Sequence, residues 1–451
     1  MSLRFGTDGV RGRVPEELNT HLAFALGRAV ASVVGQDISA VIGGDTRAST
    51  SELAQAFGHG FAELGGSAID LGVIPTPGVA FIARERSVLG VVISASHNPW
   101  HDNGIKIFAP GGSKLSDQQQ ADVERELAAL LGTVNLGPDL PALAQDPTMG
   151  TSYIEHLQRI ASECRPRDLV LDCANGASSG IANEVFASVA SHLRVMHAEP
   201  DGTNINADCG STHPQSLVEA VNRRAEHSGQ STIGFAFDGD ADRVLAVDEF
   251  GQLVDGDGLI ALLAVARHRR NSLPNHSVAL TVMSNLGVRR FLEAEGIAVV
   301  ETAVGDRSVT AAMEQHGIVV GGEQSGHVVL AEYAMTGDGM QTALATLGAL
   351  DALGTSLHAF NSEIVRFPQL LQNVPLPFQG ALESSGAFWE AVDNASESLG
   401  EDGRVLVRAS GTEPLMRIMV EAVEESLAMM HVDTLNQAAL TALAALPPPS
   451  L

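Results

Sequence analysis

The chain has 451 residues, 45% of them apolar, and carries 54 acidic against 27 basic side chains for a formal net charge of -27. Its length and apolar fraction support several folded domains and exclude a disordered chain. The acidic excess excludes nucleic acid and anionic membrane as partners, since both require a positive surface. Cys164, Cys173 and Cys209 form no C-x-x-C pair and are odd in number, which argues against both a disulfide framework and a thiolate metal site and marks them as small core or loop residues. Arg4 interrupts the first apolar residues, and runs such as Leu259 to Ala266 are too short to span a bilayer. The expected compartment is therefore the cytoplasm.

In chain order, short apolar runs at Ala40 to Ile42, Leu89 to Ile93, Leu169 to Leu171, Ile233 to Phe237, Val278 to Val282 and Ile318 to Val320 each end in Gly, Asp, Ser or Asn. They read as buried strands that deliver loops. Amphipathic stretches lie between them. Ser49 with Glu52 predicts a capping box for one helix that the Gly65-Gly66 pair ends, and Ser116 with Gln119 predicts another. Connections are expected at Gly132 to Gly150, Asp255 to Gly258 and the Pro-bearing Phe367 to Phe378. They divide the chain into residues 1–148, 149–254, 255–366 and 367–451. The first three blocks share one style, which suggests duplication of an α/β unit.

The segment GFAFDGDADRV places Asp238, Asp240 and Asp242 two residues apart at the end of a strand, with Gly239 in the turn. Carboxylates converging in this way tolerate one another when a cation sits among them, and hard oxygen donors favour Mg²⁺ or Ca²⁺. An EF-hand is excluded, because its sixth position, a glycine, is Arg243 here and a strand precedes the loop. A phosphatase using the first aspartate as nucleophile remains an alternative. Near the far end, VLVRASGTEPLMRIMV sets Arg408, Ser410, Gly411, Thr412 and Arg417 between two apolar segments. Guanidinium forks, hydroxyls and an unobstructed backbone suit a phosphate group. GGEQSGH offers Glu323, Ser325 and His327 for sugar hydroxyls, VGDRS offers Asp306 and Arg307, and FGTDGVRG offers Arg11. A metal loop, a phosphate loop and a polar loop together imply phosphoryl transfer, and no nucleotide-binding G-x-x-x-x-G-K-[ST] loop is present. The stretch VVISASHNPWHDNGIK then supplies candidate phosphoryl acceptors, and spacing leaves Ser94, Ser96 and His97 all open.

In the order FGTDGVRG, ISASHNP with DNGIK, DGDADR, GEQSGH and RASGTEPLMR, these motifs resemble those of the α-D-phosphohexomutase superfamily and span residues 5 to 417. The first and fourth lean toward a glucosamine phosphate over glucose or mannose. The resemblance implies three similar α/β domains, with mixed sheets flanked by helices, and a smaller C-terminal α+β domain around a central cleft. It implies that Ser96 carries a phosphate and that this group, with Asp238, Asp240 and Asp242, holds one Mg²⁺. It further implies that glucosamine 6-phosphate and glucosamine 1-phosphate interconvert through a 1,6-bisphosphate. Arg11, Lys106, His97 and His327 become candidates for proton transfer or charge balance. Arg243, Asp306, Arg307, Glu323, Ser325, Arg408, Ser410, Gly411, Thr412 and Arg417 become substrate contacts. Members of this superfamily often form homodimers.

Overall fold

The computed structural model describes residues 9–35, 38–134, 136, 140–146, 148–229, 231–378, 380–409 and 414–446. The chain divides into a larger unit, Met1–Met283 with Glu295–Glu363, and a smaller one, Ser284–Ala294 with Ile364–Leu451.

The larger unit repeats one four-stranded arrangement three times. In the first sheet, Ser39–Gly44 runs parallel to both Ser67–Val73 and Leu89–Ile93, and the latter turns back antiparallel into Asp102–Phe108. In the second, Arg167–Asp172 lies parallel to Ala190–Met196 and Thr232–Phe237, and the latter turns back into Val244–Val247. In the third, Ser277–Thr281 lies parallel to Ala298–Thr302 and Val320–Gly322, which turns back into Val328–Leu330. The expected duplication is thus visible as topology. Runs such as LGVVI and TIGFAF are buried throughout because helices or neighbouring elements cover both faces of a parallel strand.

The first sheet gains two further strands. Val10–Arg13 pairs antiparallel with Asp102–Phe108, and Ala144–Gln145 adds to Ser67–Val73. The expected connection from Gly132 to Gly150 therefore contributes a strand, one of two residues and too short to show a period. Asp255 to Gly258 is likewise a helix start, where the Asp255 side chain caps Gly256–Arg269 by accepting from Gly258 N–H at 3.1 Å. The third-sheet strand begins at Val320 rather than Ile318, and Gly321 and Gly322, poor strand formers by propensity, belong to it. Ser116 and Gln119 form the predicted capping box. Ser49 does not, because its hydroxyl accepts from Asn103 Nδ2 at 2.9 Å.

Helices Thr20–Val34 and Thr50–Ala62 pack closely over the first sheet. Leu26, Phe57 and Phe61 are fully buried there, each contributing roughly 1.5–3 kcal/mol of transfer free energy. The crossing needs two glycines. A Cβ on Gly27 would stand 2.1 Å from Phe57 O, and one on Gly60 would stand 2.0 Å from Phe24 O.

In the smaller unit, Leu415–Ala422 is the centre of a three-stranded antiparallel sheet, with Gln369–Pro375 and Gly403–Ala409 as its edges. Phe367 to Phe378, expected as a connection, supplies the first edge, where a terminal proline removes no ladder hydrogen bond. Helix Leu286–Ala294 joins this unit through fully buried Glu421, which accepts from Leu286 N–H at 2.9 Å and from Arg404 Nε at 2.6 Å. Arg404 also donates to Ser284 O at 2.6 Å.

Gly60→Ala should overpack the helix crossing and cost about 1–3 kcal/mol, lowering the thermal midpoint with no change in secondary-structure content by circular dichroism. An unchanged midpoint would mean that the helices separate freely.

Candidate active site

Each repeated hairpin in the larger unit turns at the carboxyl end of its third strand, and the three turns are the motifs SASHNPWH, DGDADR and EQSGH. The carboxyl ends of parallel strands are where open α/β sheets gather ligands.

Ser96 lies in the first turn, 1% exposed, with φ of 54°, a left-handed conformation uncommon for a residue with a Cβ. Its surroundings hold it there. Arg47 Nη2 donates to Ser96 O at 3.2 Å and Asn98 O at 2.5 Å, and Asn206 Nδ2 donates to the same two carbonyls at 2.9 and 3.1 Å. Buried Asp45 pairs with Arg47 Nη1. Burial raises the Asp45 pKa, while Arg47 opposes that shift. Ser94 is buried behind the turn and accepts Ser96 N–H at 2.9 Å. The Ser96 hydroxyl points into the second turn, donating to Asp238 Oδ2 at 2.5 Å, with His97 Nδ1 at 3.4 Å.

Asp238, Asp240 and Asp242 are all buried and present oxygens within 4.8 Å of one another. Gly239 lets this turn lie against the first, since a Cβ there would be 2.6 Å from Ser96 O. Asp240 Oδ2 accepts from Thr76 Oγ1 at 2.6 Å and from Lys106 Nζ at 2.7 Å, and Lys106 reaches Asp242 Oδ2 at 3.2 Å. Lys106 itself is 6% exposed. Oδ1 of Asp240 and Oδ1 of Asp242 are buried without a hydrogen-bond partner. Arg243 Nε and His327 Nδ1 stand 3.8 Å from Asp242 Oδ1, beyond hydrogen-bond length. Three converging carboxylates with two buried oxygens left over fit a hard divalent cation.

Burial, then Asp242 and Asp240, push the Asp238 carboxyl well above the usual range. Burial acts in the same direction on Asp242, but Lys106, His327 and Arg243 outweigh it and hold that carboxyl well below the usual range. Burial, followed by Arg243 and Arg11, lowers His97 to about 4, so this ring is neutral at pH 7. Arg11 sits on the strand paired with Asp102–Phe108, opposite Gly104.

The third turn brings His327 and half-buried Glu323 inward, while Ser325 is exposed. His327 Nε2 accepts from Gly337 N–H at 3.1 Å, placing the proton of the neutral ring on Nδ1, toward Asp242. Burial disfavours a second proton, and Asp242, Asp306 and Glu323 raise the pKa against it. Glu323 Oε1 accepts from Gly305 N–H at 2.9 Å. Asp306 pairs with Lys114, and its Oδ2 lies 3.9 Å from His327 Nε2. Arg307 is engaged by the first domain, bonding Gln120 Oε1 at 3.0 Å and Leu115 O at 2.9 Å and pairing with Asp117 at 2.6 Å. Within the smaller unit, Arg408 and Arg417 face each other across the hairpin of Gly403–Ala409 and Leu415–Ala422. Burial and the Arg417 charge lower the Arg408 pKa. Two cations directly opposite repel, and an anion between them would relieve that. Ser410, Gly411 and Thr412 lie outside the described residues.

Sequence reasoning missed Asp45, Arg47, Thr76, Lys114 and Asn206. GGDTR and NIN follow strands in the way the recognised loops do, but their side chains act by holding other loops, which no local motif signals. Lys114 carried a hint in the composition, being one of only two lysines.

Four family models match this chain in order: the phosphoglucomutase/phosphomannomutase α/β/α domain I over residues 2–131, domain II over 151–251, domain III over 255–367 and the C-terminal domain over 371–436. The chain belongs to the phosphoglucomutase/phosphomannomutase family. A phosphoglucosamine mutase from Moorella thermoacetica is 44% identical over 428 residues, covering 93% of this chain and 95% of that relative. The family fold recurs in a phosphoglucomutase/phosphomannomutase family protein of Burkholderia thailandensis, with TM-score 0.79 and 23% identity over 100% of both chains. An Aspergillus fumigatus N-acetylphosphoglucosamine mutase, solved in complex with GlcNAc-6P and magnesium, shares the fold at TM-score 0.69 and 17% identity, covering 98% of this chain and 96% of that one. No helix of the described residues is long and apolar enough to cross a membrane.

Arg47→Met should leave Asp45 buried without its partner and cost about 3–5 kcal/mol, read as a lower denaturant midpoint. A midpoint within error of the parent would show that Arg47 is not the counter-charge the geometry makes it.

Proposed function

We propose that this chain is a phosphoglucosamine mutase, interconverting glucosamine 6-phosphate and glucosamine 1-phosphate through a phosphorylated Ser96 and a 1,6-bisphosphate. The observation that carries this reading is the Ser96 hydroxyl, 2.5 Å from Asp238 at the mouth of a buried three-carboxylate cluster. The relative named phosphoglucosamine mutase, matched over 93% of the chain, supports it.

Asp238, Asp240 and Asp242 would hold Mg²⁺ together with the phosphate on Ser96. The bound ion would supply charge compensation for the phosphoryl group in transfer. In the forward half, the sugar's 1-hydroxyl attacks phosphorus, the bond from phosphorus to Ser96 Oγ breaks, and Oγ gains a proton as the hydroxyl loses one. The bisphosphate then reorients and its 6-phosphoryl group returns to Ser96, releasing the 1-phosphate. Lys106 is the favoured proton carrier, because its amine lies on the carboxylates that face the reacting serine and a desolvated lysine can titrate. Arg11 and Arg243 contribute fixed positive charge. His97, neutral at pH 7, is suited to accept a hydrogen bond rather than to deliver a proton as imidazolium. Glu323 and Ser325 would grip ring hydroxyls, with Glu323 aimed by Gly305 N–H. Arg408 and Arg417 form a cationic pair suited to a phosphate group.

Intact mass should show one phosphate on the purified chain, absent in Ser96→Ala, and turnover of glucosamine 6-phosphate with Mg²⁺ and trace bisphosphate should exceed that of glucose and mannose 6-phosphates. Full mutase activity in Ser96→Ala, or release of inorganic phosphate as the main product, would replace this reading with the aspartyl phosphatase. Lys106→Met should lower kcat by about 10²–10⁴ if the lysine moves the proton. Lys114→Gln, which loosens Asp306 and the neighbouring Gly305 turn, should raise KM several-fold while leaving the extent of Ser96 phosphorylation unchanged.

A further inference from the structure

The second sheet of the larger unit gathers another set of ligating atoms that the proposed reaction does not use. Asp172 ends strand Arg167–Asp172, His197 follows the parallel neighbour Ala190–Met196, and Cys209 lies in the loop that returns across both strand ends. A carboxylate oxygen of Asp172, a ring nitrogen of His197 and the sulfur of Cys209 lie within 4.8 Å of one another. Asp172 and Cys209 are fully buried, while the His197 side chain is 30% exposed. His197 Nδ1 pairs with Asp172 Oδ2 at 3.0 Å and has no other partner among the described residues. Backbone N–H groups already orient the carboxylate, Ala174 donating to Oδ1 and Gly210 to Oδ2, both at 2.9 Å. Such outer hydrogen bonds fix the ligands of metal sites. Ala174, Asn175 and His197 adopt left-handed φ of 53°, 48° and 46°, a concentration of non-glycine strain of the kind found at functional sites. A cavity of about 360 Å³ lined by His197, Asn175, Glu199 and Asn204 opens on the histidine side of the cluster.

We propose that Asp172, His197 and Cys209 form a site for a thiophilic divalent cation of the zinc class, separate from the three-aspartate cluster, and that its occupancy lowers turnover. One sulfur, one imidazole nitrogen and one carboxylate oxygen suit Zn²⁺ and not Mg²⁺. Zinc binds the thiolate, so binding must release the proton of the Cys209 thiol. Tetrahedral bonds of about 2.0–2.3 Å would open the 3.0 Å pair of Asp172 and His197 and re-seat Cys209. Cys209 lies three residues from Asn206, whose side chain holds the carbonyls of Ser96 and Asn98. A shift of about 1 Å in a positioning group can cost about a hundredfold in rate, so re-seating Cys209 is felt at the serine. This regulatory half rests on the mutase reading; the site itself does not.

The full chain titrated with Co²⁺ should develop a near-ultraviolet thiolate-to-cobalt band with release of protons, and Zn²⁺ but not Mg²⁺ should abolish it. Cys209→Ser should remove the band. His197→Asn, which keeps a residue tolerant of left-handed φ, should weaken Co²⁺ affinity by more than the roughly 10–100-fold that loss of an outer hydrogen-bond partner costs. Asp240→Asn should leave the band intact. Absence of a band in the folded parent chain, or its persistence in Cys209→Ser, overturns the site. Zn²⁺ should inhibit the parent enzyme and spare both site variants. Equal inhibition of all three would place the effect at the aspartate cluster and overturn the regulatory half. A parent chain inactive on every phosphosugar would overturn the mutase reading, while the cobalt titration would still decide the site.

Discussion

Three buried carboxylates within 4.8 Å of one another are the constraint on which the surrounding architecture depends. Buried charge of one sign is expensive, and its compensation must come from groups that cannot drift away. Lys106 lies across Asp240 and Asp242, Arg243 and His327 face Asp242, and Thr76 and Ser96 donate hydroxyls to Asp240 and Asp238. These partners come from all three sheets of the larger unit. The compensation of a single turn therefore ties the three repeats to each other, and the two Oδ1 atoms without hydrogen-bond partners leave that turn able to take up a cation.

Repetition explains how so many partners reach one point. Each sheet sends its third strand into an antiparallel return, and the three returns carry the serine, the aspartates and the Glu323–His327 turn. The loops that follow the first and second strands carry supporting side chains: Asp45 and Arg47, Thr76, Asn206, and the Gly305–Asp306 turn. One scaffold, used three times, divides the labour by loop position. Returns carry groups poised for chemistry, and crossovers carry groups that brace them.

This division also decides what could be read from sequence. Motifs such as DGDADR concentrate unusual side chains in a few residues, so composition alone exposes them. Arg47 and Asn206 act on the carbonyls of Ser96 and Asn98, at separations of 49 and 110 residues from Ser96, and nothing local distinguishes them from ordinary loop residues. Fully buried strands such as Leu89–Ile93, Thr232–Phe237 and Ser277–Thr281 were legible as apolar runs, whereas partly exposed ones such as Ser67–Val73, Ala190–Met196 and Gln369–Pro375 were not, because polar side chains interrupt them. Ala144–Gln145 was not, because two residues carry no period. The Ser49 capping box failed for a related reason, since Asn103, brought in by the fold, took the hydroxyl that local pattern assigned to the helix. Arg307 fits the chemistry of an anion site, yet its guanidinium is engaged by Gln120 and Leu115 at the start of helix Asp117–Leu130.

The distribution of lysine sharpens the electrostatic picture. A body of net charge -27 repels an anionic sugar phosphate, so attraction must be local. Arginine supplies the fixed, multidentate positive charge, as in Arg47, which grips a carboxylate and two carbonyls at once. The two lysines sit elsewhere in this logic. Lys106 bridges two carboxylates and Lys114 pairs with Asp306, which stands beside His327. A compact ammonium on a flexible stem serves these places because it neutralises carboxylates without imposing the geometry of a planar fork, and because it alone of the two cations can give up a proton when desolvated. Arginine at position 106 would keep the charge and impose a planar fork on the two carboxylates. The rarity of lysine elsewhere in the chain thus separates positions that need only a cation from those where the chemistry of the cation matters.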